Sequence, residues 1–377
     1  MSSCSVVNLA KQLISIPSIS PMDLGCQKLI SDRLINIGFS VENMNVNQTN
    51  NMWAYKGSGT TLAFSGHTDV VPIGNKILWN SPPFSPTVDK GVLFGRGSAD
   101  MKGALAAMVI AVERFVKKQP DHHGRIAFLI TSDEESMAHD GTIKIVSNLI
   151  KRKENIDYCI IGEPSSEQKL GDVIKNGRRG SITAYLCIYG VQGHIAYPNF
   201  SDNPIHKSIS FFCTLISNCW DNGNVFFSPT SVQIYDIESK SSSDNMVPSE
   251  LTVKFNFRFS NEITSSDIKK KVELLLKHFN LKYSIEWHVS GNPFLTKVGL
   301  LSDIVVRSVE ELCHISPNLS TSGGTSDGRF IAELGSQIIE LGLINKTIHK
   351  ANECVEIKDL RLLCHLYECI ITKIFEK

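Results

Sequence analysis

Three carboxylates in a row, Asp133, Glu134 and Glu135 in "TSDEES" (131–136), follow directly on the apolar run "RIAFLI" (125–130). Other apolar runs end in a similar way. "TLAFS" (61–65) stops at "GHTD", which carries His67 and Asp69, and "DYCIIGEP" ends in Glu163. "LFGRGSADMKG" places Asp100 in a glycine-rich loop before a long apolar stretch. In open α/β sheets, ligands bind in the crevice beyond the carboxyl ends of the strands, so these segments can deliver a histidine and several carboxylates to one place. Each piece alone has an ordinary reading: a solvated turn, a hydrogen-bonded histidine or, for Asp100, a helix N-cap. Taken together they conflict with plain solvation, because carboxylates that converge without a counter-charge raise one another's pKa. Imidazole and carboxylate without thiolate suit a divalent metal, and spare carboxylates permit a bridge between two metals. Adjacent residues in extended backbone point to opposite sides, so Glu134 and Glu135 need not compete for one position.

The elements that would hold these residues alternate. A helical pattern over 22–37 ends at Gly38, and "GALAAMVIAVERFVKK" (103–118) reads as a long helix between near-continuous apolar strands. That combination predicts a sheet covered on both faces. Near residue 180 the pattern changes. "ELTVKFNFRF" (250–259) alternates Leu251, Val253, Phe255, Phe257 and Phe259 with polar residues, the mark of a sheet with one covered and one wet face. Strands at 181–189 and 281–288 and helices near 204–218 and 264–278 complete a four-stranded α+β unit; "SKSSSD" (239–244) reads as an exposed turn. Helices and apolar strands then return, through "SQIIELG" (336–342), to a C-terminal helix. The expected fold class is α/β: a domain with a mixed sheet covered by helices (1–179 and 294–377), interrupted by an inserted α+β domain (180–293).

The chain has 377 residues, 42% hydrophobic and 20% charged, enough for two cores. Lys+Arg and Asp+Glu are equal at 38 each, so no bulk field favours nucleic acid or an anionic membrane. No apolar run approaches the ~20 residues of a membrane span. Val6, Leu9, Leu13 and Ile14 recur at helical spacing, so the N-terminus reads as an amphipathic helix rather than a signal peptide. The ten cysteines are scattered without a CxxC pair, the pattern of reduced thiols in a cytoplasmic protein.

"SGHTDVVP", "GRGSADMKG", "TSDEES", "GEP", "GVQGHIAYP", "SGGTSDGRF" and "IHKANE" together resemble, in order and approximate spacing, the dinuclear-zinc amidohydrolases related to aminoacylase and glutamate carboxypeptidase. The resemblance runs essentially end to end. It implies a zinc-exopeptidase-like catalytic domain with an inserted lid and dimerisation domain, two Zn²⁺ per subunit with Co²⁺ able to substitute, and a homodimer. It implies that His67 and Glu163 hold one metal, Glu135 and His349 the other, that Asp100 bridges them, and that Glu134 is the general base. Asp69 would fix the His67 imidazole, as metal-bound histidines need, and Asp133 has no task beyond a turn. His194 would reach the partner subunit's active site to stabilise the oxyanion. Lys175, Arg178, Ser181, Tyr197, Asn245, Arg258, Gly324 and Thr325 match positions that bind substrate in members acting on an N-succinylated diamino diacid. A related deacylase or small carboxypeptidase would use the same metals. Departures from the family pattern at Ile73, Lys90, Ser136 and Leu343 fall on positions that are not ligands.

Overall fold

In the computed structural model, which describes residues 4–239 and 243–376, the chain divides into two compact units. The first comprises residues 1–177, 295–320 and 326–377; the second comprises 178–294 and 321–325. Part of the turn at 239–244 thus lies outside the described residues.

The first unit is built on an eight-stranded mixed sheet. In spatial order its strands are Ser40–Asn43, Asn51–Ser58, Gly124–Thr131, Thr61–His67, Tyr158–Ile161, Gln337–Glu340, Val173–Lys175 and Asn318–Ser320. The central four run parallel, with Thr61–His67 between Gly124–Thr131 and Tyr158–Ile161, and Gln337–Glu340 beside the latter. Their carboxyl ends therefore share one edge. The helix Lys102–Lys118 is buried along most of its length, from Lys102 to Val112 and again at Phe115 and Val116. With the helix Ile357–Phe375 it joins Phe64, Phe128, Ile160 and Ile339 in one apolar cluster. Each such side chain withdrawn from water stabilises the fold by about 1.5–3 kcal/mol, so the edge that carries the polar residues rests on a rigid base.

The pattern over 22–37 begins as a helix only at Cys26. Leu24 and Gly25 have φ of 53° and 103°, and the Asp23 carboxylate accepts from the backbone N–H of Gly25 and Gln27. Those residues make a turn that ends where helical φ can start. The N-terminal helix Cys4–Ile14 is closed from outside: the Lys102 ammonium donates to the carbonyls of Leu13 and Ile16, a cation where the helix dipole is negative.

The second unit has a four-stranded antiparallel sheet in the order Ser231–Ser239, Glu250–Phe259, Gly180–Tyr189, Lys282–Gly291. The alternation in Glu250–Phe259 holds: Leu251, Val253, Phe255, Phe257 and Phe259 are buried, with Ile182, Ala184, Leu186 and Ile188 beside them. Two helices contribute to the same core. Pro204–Ser217 is capped by the Asn203 side chain, with proline at its first position, and Ser265–His278 opens on a Thr264–Asp267 capping box. The strand Ser231–Ser239 was not singled out in the sequence, nor were the short strands at the margin of the first sheet. No helix among the described residues is long and apolar enough to cross a membrane.

Candidate metal centre

The shared strand edge brings six side chains together in the first unit. His67 is the last residue of its strand; Glu134 and Glu135 follow Gly124–Thr131, and Glu163 follows Tyr158–Ile161. Asp100 comes from the glycine-rich loop ahead of Lys102–Lys118, and His349 from the loop after Gln337–Glu340. The His67 Nε2 lies 3.3 Å from Asp100 Oδ1 and 3.5 Å from Glu163 Oε1. The His349 Nε2 lies 3.3 Å from Asp100 Oδ2 and 3.0 Å from Glu135 Oε1. Asp100 therefore turns one carboxylate oxygen toward each imidazole. Potential ligand atoms of His67, Asp100 and Glu135 lie within 4.8 Å of one another, and so do those of His67, Glu134 and Glu163.

The donors fit a cation. The His67 Nδ1 is 2.9 Å from the backbone carbonyl of Asp69, which can only accept, so Nδ1 carries a proton and Nε2 is the nitrogen left to serve a metal. His67 Nε2 and Asp100 Oδ1 are both buried with no aligned hydrogen-bond partner among the described residues. Buried polar atoms are rarely left so, and these two lie 3.3 Å apart. His349 holds a left-handed backbone, φ 58°, a costly conformation for a residue with a Cβ and one that clusters at functional sites.

The proton affinities record an excess of negative charge. Burial disfavours a charged His67, yet the carboxylates of Asp100, Asp69 and Glu163 outweigh it and raise its pKa well above the usual imidazole value. Asp100, then Glu135, push His349 up to about 10. Burial opposes ionisation of Asp100, but the two imidazoles win and hold it below the ordinary carboxylate range. For Glu163 and Glu134 the help from His67 is outweighed. Burial and the Asp100 charge push Glu163 up to about 7, while burial and the Glu163 charge raise Glu134 well above its usual value.

Asp69 faces the His67 imidazole twice: its backbone carbonyl accepts from Nδ1 at 2.9 Å, and its carboxylate Oδ1 lies 3.5 Å from the same nitrogen. The carboxylate also receives the backbone N–H of Glu134 at 3.4 Å and of Glu135 at 3.1 Å, so Asp69 ties the histidine's strand end to the paired glutamates. Asp133, read from the sequence as a plain turn residue, is buried, and its carboxylate accepts the N–H of Asp140. Asp100 does not cap the helix behind it, which has no side-chain cap.

The other singled-out residues fall elsewhere. Lys175 is buried in the first unit at the end of Val173–Lys175, in register with Glu340. In the second unit, Arg178 donates to the Ser322 carbonyl at 3.0 Å, which draws the loop carrying Gly324 and Thr325 to it. Ser181 lies in register with Arg258, and Asn256 donates to its hydroxyl. His194, Tyr197 and Asn245 form a separate group there. The rings of the first two are 5.6 Å apart, and the Asn245 carbonyl accepts from Ile195.

Among the buried carboxylates that the sequence did not single out are Asp327 and Glu353. Asp327 accepts from the Thr142 hydroxyl at 2.6 Å and is raised by burial. Glu353 receives four donors: Arg96 Nη1 at 2.8 Å and the N–H of Gly97 at 3.0, Ala99 at 2.9 and Asp100 at 3.1 Å. Both stand inside motifs already in view, "SGGTSDGRF" and "IHKANE", and their place there was the available signal.

Comparison with known proteins agrees with this geometry. The family model described as peptidase family M20/M25/M40 matches residues 63–373. An M20 family metallo-carboxypeptidase from Sulfolobus solfataricus superposes with a TM-score of 0.83 at 18% identity, over 100% of this chain and 99% of that one. Aminopeptidase PepT from Bacillus cereus does so at 0.80 and 20%, over 100% of both. A Bacillus subtilis protein described as a dinuclear metal-binding peptidase of the M20 family gives 0.72 and 14%, over 99% of both. At such identities the likeness is one of fold.

Proposed function

The chain belongs to peptidase family M20/M25/M40, and from that premise we propose that it is a succinyl-diaminopimelate desuccinylase. In this reading it is a cytoplasmic, homodimeric zinc hydrolase of lysine and diaminopimelate biosynthesis. It cleaves the amide of N-succinyl-LL-2,6-diaminoheptanedioate to succinate and LL-2,6-diaminoheptanedioate. The observation that carries the reaction class is Asp100, with one carboxylate oxygen toward His67 and the other toward His349.

His67 and Glu163 would hold one zinc, Glu135 and His349 the other, and Asp100 would contribute to both; the nitrogen and oxygen donors would also take cobalt. Two bound cations would acidify a water and polarise the amide carbonyl. The residues of the chain do the rest. Asp69 fixes the backbone of Glu134, and the Glu134 carboxylate takes a proton from the attacking water as its oxygen adds to the carbonyl carbon. When the C–N bond breaks, Glu134 returns that proton to the leaving amine. His194 of the partner subunit would stabilise the oxyanion.

Arg178, Ser181 and Arg258, with Gly324 and Thr325 on the loop that Arg178 draws in, support a substrate bearing carboxylates, for which guanidinium is the matching donor. Lys175, Tyr197 and Asn245 complete the proposed set. Solved relatives named as carboxypeptidase and aminopeptidase favour a second reading, a peptidase acting on short peptides. Turnover of succinyl-diaminopimelate, acetylornithine and a panel of di- and tripeptides by the purified protein separates these. Preference for either of the latter would overturn the desuccinylase assignment and leave the hydrolase intact.

A further inference from the structure

The loop that presents Asp100 is poorly suited to holding anything still. Gly95 and Gly97 have φ of 154° and 84°, and glycine loses more backbone freedom on ordering than any other residue. The order comes from Glu353. The strand Cys354–Glu356 pairs with Val92–Phe94, and the Gly95 N–H continues the ladder to the Glu353 carbonyl at 2.9 Å. Beyond that point the Glu353 carboxylate takes over: Oε2 receives Arg96 and Gly97, and Oε1 receives Ala99 and Asp100. Arg96, equally buried, also donates to the carbonyls of Lys350 and Pro72 at 3.2 and 3.3 Å. The pair thus joins three loops, those that follow His67, precede Asp100 and follow His349.

We propose that Glu353 is the positioning residue of the metal centre, fixing the Asp100 carboxylate relative to His349 so that the cation they share is bound. This rests on the dinuclear reading of the site. Glutamine at 353 keeps the shape but offers one acceptor oxygen, and its amide N–H₂ must then face two N–H donors. Outer hydrogen-bond partners of metal ligands typically govern affinity by 10–100-fold.

The test is titration of the metal-stripped full chain with Co²⁺, following visible absorption and the heat of binding. The wild type should take two equivalents. Glu353→Gln should take the first nearly as tightly and the second roughly 10–100-fold more weakly, with an altered spectrum for that equivalent. Leu276→Ala, a core truncation in the second unit, should lower Tm without moving either affinity. If Glu353→Gln does not fold, Glu353→Asp, too short to reach both donor pairs, should show the same selective weakening. A wild type that takes fewer than two equivalents overturns the dinuclear reading and this proposal with it. A wild type that takes two, beside a folded variant with unchanged affinities and spectrum, overturns the positioning role alone.

Discussion

Replacing Glu134 separates proton transfer from metal binding at this centre. A positioned general base contributes about 10²–10⁴-fold in rate, or about 2.7–5.4 kcal/mol of activation free energy. Glu134→Gln and Glu134→Ala should lower kcat within that range. Metal content should survive, because the contacts of His67 with Asp100 and Glu163, and of His349 with Asp100 and Glu135, involve no atom of Glu134. The geometry nevertheless permits the opposite, since Glu134, His67 and Glu163 could converge on one ion. The assay is kcat on the preferred amide together with metal per subunit after dialysis. Loss of one metal equivalent in step with activity would make Glu134 a ligand. Activity within about tenfold of the wild type would remove it as the base.

Metal uptake should release protons. The carboxylates around His67 and His349 raise the proton affinity of both rings, and a ligating imidazole must give its proton up, so about one proton or more per cation should appear when the binding heat is measured in buffers of different ionisation enthalpy. Gly342→Ala should damage the centre from outside it: an added Cβ would lie 2.2 Å from the Glu163 carbonyl and 2.5 Å from that of Gly162. Displacing Glu163 should weaken metal binding at least tenfold, and an unchanged affinity would show that the backbone yields elsewhere. Stability should also depend on His122, whose ring lies against Phe115 and Phe375 and whose pKa is lowered by burial and then by Lys56. With the folded value below the unfolded one, near 6.5, the unfolded state takes up the proton first. Stability is therefore complete above that value and falls as pH drops through it. His122→Phe should shrink the fall in Tm between pH 7.5 and 5.5, and an equal fall would acquit His122.

Much of this was legible in the chain because parallel strands buried on both faces read as apolar runs, and their ends name the site. His67, Glu134, Glu135 and Glu163 could be placed at one edge from that pattern alone. What the pattern could not convey is which carboxylates leave water. Asp133, Asp327 and Glu353 look like any acidic residue in a loop, and only their partners in the folded chain make them structural: Asp140 for the first, Thr142 for the second, and the loop from Arg96 to Asp100 for the third. Strands such as Val173–Lys175 and Asn318–Ser320 escaped notice because three residues carry no period. The attachment of residues 321–325 to the second unit depends on contacts such as Arg178 to Ser322 across well over a hundred residues.

The charge balance explains why the acidic run at 133–135 calls for a cation rather than for solvent. Asp69, Asp100, Glu134, Glu135 and Glu163 meet two imidazoles, and both rings turn toward Asp100. That allocation keeps Asp100 ionised and leaves Glu163 and Glu134 to hold protons at values where carboxyls are ordinarily charged. Protonating the surplus would satisfy electrostatics, but it would occupy the oxygens and the Nε2 lone pair that the fold has aimed inward. A pair of divalent cations supplies the missing charge and takes up the same atoms. Ligand geometry and proton affinity therefore make one prediction between them, and a chain that bound protons there in preference to metal at neutral pH would contradict both.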